Sequence, residues 1–481
     1  MAAPSKCSAA SLAFSTIDEA ARLLRARKVS SLELVNAALE RIERLNPSLN
    51  AFITVNADAA RKQARIADRE IRAGKIRGPL HGVPITIKDN FLTKGTRTTA
   101  GSKILADFIP DFDSHIVAQL HAAGAVSLGK TVLNEFAYGI HGRNPHYGDV
   151  HNPWDLRCTP GGSSSGSAAS LAAGIGFASV GTDTGGSLRI PASFCGIVGF
   201  KPTFGLVSLA GVVPLAETLD HAGPLARTVE DAATVLSVIA GKYPMRVPAL
   251  KFTQLRQNLP RRFRIGWPKN YFFDRVELEV QLAIECAVKA LESLGGRTEA
   301  ISLAHAAESV EASTAVGLVE ALQYHSAQKY FPQRAADYSE DVRKRLELGL
   351  EVKALPYLDA ARVRRELTSD FDSAFERVDV IVAPATACVA PPLGVAVVEI
   401  RGESVPLRGA VIDSNRPANF TGHPAISLPC GISTRGLPIG LQLIGPKWSE
   451  AKLLAIAHAY EQSQNWRDRR PAIGSELIPA S

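Results

Sequence analysis

Gly181-Thr182-Asp183-Thr184-Gly185-Gly186-Ser187, followed by Leu188-Arg189-Ile190-Pro191, decides the reading of this chain. The apolar run Phe177-Ala178-Ser179-Val180 leads into it and suits a buried strand, and Pro191 predicts a helix start just beyond it. Ser187 then sits at a turn before a helix N-terminus, where several backbone N–H groups lack partners. Glycines at such a turn let a carbonyl substrate approach those donors closely, and a hydroxyl nucleophile needs them to hold a developing oxyanion.

Upstream lies a second turn of the same kind, Gly161-Gly162-Ser163-Ser164-Ser165-Gly166. A flexible linker would separate units, but this stretch runs directly into Ala168, Ala169, Leu171, Ala172 and Ala173, the start of a small-residue helix. Further upstream, Val83 to Ile87 predicts a strand that carries Lys88 inward. A lysine can accept a proton only when neutral, so burial must lower its pKa before it serves as a base. The plainer role for Lys88, a surface lysine paired with Asp89, fits poorly with the apolar run before it. Asp183 and Arg189 stand in otherwise uncharged sequence and are expected to form a buried ion pair that fixes the turn. Together these features outline a serine hydrolase without a catalytic histidine.

The run from Gly161 to Thr203, including Cys195-Gly196-Ile197-Val198-Gly199-Phe200-Lys201-Pro202-Thr203, resembles the signature of the amidase signature family. The likeness extends through Lys88-Asp89-Asn90, Gly129-Lys130-Thr131, Asn152-Pro153-Trp154 and Gly223-Pro224. Near the C-terminus it continues through Asn419, His423-Pro424-Ala425, Pro429-Cys430-Gly431 and Gly436 to Gln442. Ser165 departs from the pattern, since the family often has glycine there. The resemblance implies a Ser-Ser-Lys triad with Ser187 as nucleophile, Ser163 as bridging serine and Lys88 as base. It also implies a cis peptide at Gly162-Ser163 and an oxyanion hole built from the N–H groups of Thr184, Gly185, Gly186 and Ser187. Ala137, Tyr138 and Gly139 correspond to a segment that lines the acyl pocket in relatives, although Tyr138 suits a core aromatic equally well. The implied architecture is α/β, an amidase signature fold whose central mixed β-sheet is covered by helices on both faces. Neither a metal nor an organic cofactor is required by the implied chemistry.

At 481 residues, length alone would suggest roughly three domains. No repeat or long low-complexity break divides the chain, so a single domain spanning 1-481 is expected. Within it we distinguish an N-terminal helical segment at 1-75, a signature core at 76-240 and a connector at 241-262. A second half at 263-481 carries a helical pocket wall and C-terminal strands. A hydrophobic content of 46% is ample for a core, and no run is long and apolar enough to cross a membrane. Met1 to Ala13 lacks an apolar stretch of the secretory kind, which makes a cytoplasmic location the default. Six scattered cysteines with no C-x-x-C pair indicate neither a disulfide framework nor a zinc ribbon. His141, His146 and His151 are spaced so that successive side chains diverge on a helix, which argues against a metal site. The formal charge of +7 is spread over interleaved charges such as Glu40-Arg41-Ile42-Glu43-Arg44, so no nucleic-acid or membrane partner is expected.

Thr16 to Glu19 and Ser30 to Glu33 have capping-box spacing, and Leu32, Val35, Leu39, Ile42 and Leu45 recur at helical period until Asn46-Pro47 ends the run. Strands are expected at Phe52 to Val55, Val83 to Ile87, Val126 to Leu128 and Phe177 to Val180. Arg264-Ile265-Gly266 opens the second half, with helices at Val276 to Leu294 and across Ala306 to Phe375. Val380 to Val382, Ala425 to Leu428 and Ile439 to Ile444 return to the sheet.

The expected activity is hydrolysis of amide bonds in small aryl or apolar substrates through an acyl-enzyme, extending to carbamates (urethanes) and esters, by a monomer or homodimer. The alternative is the glutaminase component of a tRNA-dependent amidotransferase, its A subunit, which resembles this chain throughout. Such a component must hold the α-amino and α-carboxylate groups of glutamine. Arg345 matches the arginine used for this, but no acidic partner stands out in Ala410-Val411-Ile412-Asp413-Ser414. Ile190 also stands where those proteins usually carry glutamine, which favours the free-standing enzyme. A non-enzymatic binding protein on the same fold is the weakest reading, because every triad member is present.

Overall fold

The computed structural model describes residues 9–241 and 254–475. Cys7 and residues 242–253 of the expected connector lie outside the described residues. The described strands are β1 Phe52–Val55, β2 Pro84–Lys88, β3 Val126–Thr131, β4 Ala178–Asp183, β5 Val198–Lys201, β6 His221–Ala226 and β7 Phe263–Pro268. They continue with β8 Gly296–Ile301, β9 Val380–Pro384, β10 Val397–Ile400, β11 Glu403–Pro406, β12 Ala425–Ile432 and β13 Pro438–Ile444. Eleven form one sheet in the order β1-β3-β2-β4-β6-β5-β12-β13-β9-β7-β8, while β10 and β11 pair separately. The large sheet is mixed: β2 runs parallel to β3 and β4, and β7 runs parallel to β8 and β9, whereas the strands between these groups pair antiparallel. Helices flank it, giving the α/β architecture expected from the sequence.

The central strands β2, β3, β4, β6, β9 and β13 are buried at every position, as befits strands covered on both faces. At the sheet margins β1 and β8 are only partly buried. The helix Ser165–Ala172 is buried along its whole length, and its small residues let it lie close to the sheet. A side chain at Gly166 would meet the carbonyl oxygen of Ala51 at 2.2 Å. Ser165 fits at the start of this helix, with its hydroxyl donating to the Val132 carbonyl at 3.3 Å, so the departure from glycine is accommodated.

Both capping boxes form, with Thr16 and Ser30 accepting from the N–H groups of Glu19 and Glu33. The second helix differs from expectation at its end, because Ser31–Leu49 passes through Pro47. Asn50 closes it in the left-handed region, and Asn46 Oδ1 accepts from the N–H of Ala51 at 2.7 Å. The helical stretch read across Ala306 to Phe375 is three helices, Ser309–Ala327, Glu340–Glu351 and Ala354–Arg377. Lys329, at φ 57°, and Pro332 interrupt it after the first of these.

The sheet places the two signature segments side by side. β2 and β4 are parallel neighbours with Thr86 opposite Ser179 and Ile87 opposite Val180. Lys88 and Thr182-Asp183 therefore emerge at the same edge, outside the carboxyl ends of adjacent strands, where open α/β sheets bind ligands.

Candidate active site

Lys88 closes β2 and is fully buried. Its Nζ donates to Ser163 Oγ at 2.9 Å and to Thr182 Oγ1 at 2.8 Å, and no carboxylate pairs with it among the described residues. Burial pulls its pKa down to about 7, against the opposing pull of the Asp183 and Asp220 charges. An amine in this setting exchanges a proton near neutrality. Ser163 follows the cis peptide Gly162-Ser163, and Gly162 itself is packed so closely that a side chain there would meet Asn134 Oδ1 at 2.3 Å.

Ser187 is 7% exposed and faces a cavity of about 370 Å³. Its hydroxyl has no hydrogen-bond partner among the described residues. A backbone bond from Ser164 N–H to the Ser187 carbonyl at 3.4 Å ties the two serine loops together. The relay is thus closed from Lys88 to Ser163 and open between Ser163 and Ser187, and such contacts commonly tighten when substrate binds.

The turn ahead of Ser187 is held by Asp183, which is fully buried. Its carboxylate accepts from Gly186 N–H at 2.7 Å, Leu188 N–H at 3.0 Å, Arg189 Nε at 3.1 Å and Nη2 at 3.0 Å, and Asn419 Nδ2 at 2.9 Å. Burial alone would raise the Asp183 pKa, but the Arg189 charge and these donors outweigh it and hold the carboxyl well below the usual range. Arg189 is further bonded to Gln442, Asn415 and Asn419, so the pair is anchored to the C-terminal strands and the helix before them. Gly186 departs from the expected oxyanion set, because its N–H is committed to Asp183. The N–H groups of Thr184, Gly185 and Ser187 have no acceptor among the described residues, and all three residues line the cavity. Thr184 is fixed from the other side by its hydroxyl, which donates to Asp220 Oδ1 at 2.5 Å. Burial pushes the Asp220 carboxyl up to about 6 despite this bond and those from the N–H groups of Leu215 and Ala216.

Ala137, Tyr138 and Gly139 line the same cavity. Its wall also holds Leu215, Leu219 and Leu318, together with Arg345, which the sequence singled out, and Asp341, Lys344, Arg408 and Arg416, which it did not. Arg345 lies 5.0 Å from the Tyr138 ring centre and is paired with Asp341 through bonds of 3.0 to 3.2 Å. Asp413 directly follows the short helix Leu407–Ile412 and pairs with Arg416 at 3.0 Å. Ile412, one residue earlier, is the side chain that packs on Gly185. Thr182, Asp220, Arg408 and Arg416 were missed as functional residues. A hydroxyl in a fully buried strand could have flagged Thr182, whereas the other three come from segments whose convergence no local pattern encodes.

A family model described as Amidase matches residues 33–454. The chain is 41% identical to a protein from Hahella chejuensis named as the A subunit of glutamyl-tRNA(Gln) amidotransferase, over 95% of this chain and 99% of that one. A solved structure described as a crystal structure of an amidase superposes with a TM-score of 0.86 at 37% identity, covering 93% of this chain and 99% of that one. The crystal structure of the glutamyl-tRNA(Gln) amidotransferase A subunit from Thermotoga maritima superposes with a TM-score of 0.78 at 33% identity, covering 95% and 97%. The chain belongs to the amidase signature family, whose members act on carbon–nitrogen bonds.

These comparisons overturn the expectation of a free-standing hydrolase of aryl or apolar amides and carbamates. Relatives at about 40% identity over nearly the full chain carry the name of the amidotransferase component. The cavity also offers polar anchors, since arginines and an aspartate line it. Ile190 was taken as a mark against glutamine, yet its side chain is fully buried behind the turn, against Gly161 and Gly186, and is not part of the cavity wall.

Proposed function

We propose that this chain is the glutamine-hydrolysing component, the A subunit, of a tRNA-dependent amidotransferase. The observation that carries the reading is the 41% identity to a protein of that name along 95% of this chain and 99% of the relative. In this reading Ser187 Oγ attacks the carboxamide carbon of glutamine while Ser163 takes its proton and passes its own to neutral Lys88. The N–H groups of Thr184, Gly185 and Ser187 hold the oxyanion, each donor being worth about 3 kcal/mol in the transition state. Collapse breaks the C–N bond, the proton returns through Ser163 to the nitrogen, and ammonia leaves. Water retraces the path, freeing glutamate and Ser187.

The ammonia is meant for a partner, so protein partners replace the monomer or homodimer of the initial expectation, and the cytoplasm is the compartment that modification of a charged tRNA implies. Among the described residues, no helix is long and apolar enough to cross a membrane. An ester or carbamate whose acyl part fits the cavity is open to the same attack, and we infer its turnover as a side reaction. The test is ammonia release from glutamine by the purified chain, set against turnover of anilides and carbamates. Glutamine hydrolysis that disappears in Ser187→Ala supports the reading; rapid anilide turnover with no ammonia from glutamine overturns it.

A further inference from the structure

Asp183 closes β4 and stands opposite His221, the first residue of the antiparallel strand β6. One step beyond that register Thr184 comes beside Asp220, and its hydroxyl donates to Asp220 Oδ1 at 2.5 Å. The other carboxylate oxygen accepts from the N–H groups of Leu215 and Ala216 at 2.8 and 3.3 Å. Asp220 is buried and forms no ion pair among the described residues, so these three donors are its whole compensation. A buried carboxylate without a cation is costly, and closing a turn does not require one.

The segment that Asp220 anchors reaches both the base and the helical wall. Asn90 Nδ2 donates to the Val213 carbonyl at 3.4 Å and to Thr182 Oγ1 at 3.2 Å, the same hydroxyl that accepts from Lys88. Thr218 donates its N–H and its hydroxyl to Glu320 on the helix Ser309–Ala327 at 2.9 and 2.7 Å. The peptide plane that carries the Thr184 N–H is held at its opposite edge, where the Asp183 carbonyl accepts from Asn419 Nδ2 at 2.9 Å. The following plane carries the Gly185 N–H, and its direction follows from the backbone angles of Thr184. Gly185 has no side chain to restrain it, so the Thr184 side chain is the available handle.

We propose that Asp220 is a positioning residue for the reaction at Ser187: through the Thr184 hydroxyl it aims the Thr184 and Gly185 N–H groups at the substrate oxygen as that oxygen becomes an oxyanion. A charged acceptor holds a hydroxyl more firmly than a neutral one, and donors fixed beforehand need no reorientation in the transition state. Asp220 does not itself line the cavity, whereas Thr184, Gly185, Leu215 and Leu219 do.

The inference rests on the proposed function only for acyl transfer at Ser187, because the identity of the amide does not enter it. The test is run at about pH 8, where Lys88, with its pKa of about 7, is mostly neutral and Asp220, at about 6, is ionised. Two rates per folded chain are read: ammonia release from glutamine, and modification of Ser187 by a fluorophosphonate, whose phosphoryl oxygen takes the oxyanion position. Thr184→Val keeps the backbone N–H and the side-chain shape but removes the hydroxyl. It is expected to lower kcat and the modification rate roughly tenfold, with KM for glutamine changed by less than about threefold. Asp220→Asn, whose single acceptor oxygen cannot serve both sides, should cost a similar factor in the wild-type background. In the Thr184→Val background it should cost less than about twofold, because the contact through which it acts is already gone. Thr184→Ser, which retains the hydroxyl, should keep nearly the wild-type rates. Equal losses from Asp220→Asn in both backgrounds, or unchanged rates in Thr184→Val, overturn the proposal. Modification of the wild-type chain that depends on Asp220 and Thr184 in this way, with no ammonia from glutamine, leaves the positioning role standing and removes the glutaminase reading.

Discussion

Lys88 owes its chemistry to what surrounds it. Among the described residues two hydroxyls and no carboxylate pair with its amine, so burial is the dominant influence and favours the neutral form. If it is the base, kcat/KM should fall as pH drops through about 7, where Lys88 takes up a proton, and level off above it. A pH–rate profile checks this, and Lys88→Met should lose both the rate and the limb. Ser187→Ala should abolish adduct formation with a fluorophosphonate and lower kcat by at least about a thousandfold, with the fold retained. Intact-mass analysis reads the adduct, and circular dichroism reads the fold. At this scale the sequence drew attention to Ser187, Ser163 and Lys88, which lie in glycine-rich or apolar stretches, and the structure sets Lys88 against Ser163 with Ser187 on the cavity. Gly186 was harder: whether a turn N–H faces substrate or a carboxylate behind it depends on where Asp183 points.

Between single residues and the whole chain, the turn Thr184 to Ser187 is the element on which the site depends. Asp183 and Arg189 have fully buried side chains 3.0 Å apart, and both are bonded to the segments that carry Asn419 and Gln442. Asp183→Ala would leave the Arg189 cation buried without its counter-charge and is expected to cost about 3–5 kcal/mol of stability, read as a lowered thermal midpoint. Loss of activity with an unchanged midpoint would mean the pair is not the anchor described. Elements with strong local signals were legible, such as the capped helices after Thr16 and Ser30. The helix end at Pro47 was misread because Asn46 and Asn50 together rescue its final turn. β8 was overlooked because Gly296–Ile301 is a half-exposed marginal strand whose pairing with β7 no local pattern shows.

For the molecule as a whole, the sheet order and the cavity both arise from long-range contacts. The wall above Ser187 gathers residues 137–140, 184–187, 313–318, 341–348 and 408–419, so its polar character could not be read from any one segment. That is why the family was legible while the substrate preference was misjudged: the missing acidic partner near Asp413 was visible, and the convergence of Arg408 and Arg416 on the cavity was not. The central claim is that glutamine is opened at Ser187 so that its nitrogen can be handed to a partner. The most direct measurement uses glutamine labelled at its amide nitrogen, with the full chain, its protein partners, ATP and glutamyl-tRNA, and follows the label by mass spectrometry. The label is expected to appear in the tRNA-bound amino acid with wild-type chain and to be absent with Ser187→Ala. Glutamine left intact by the wild-type chain in that mixture, with free ammonia still able to support the transfer, would contradict it.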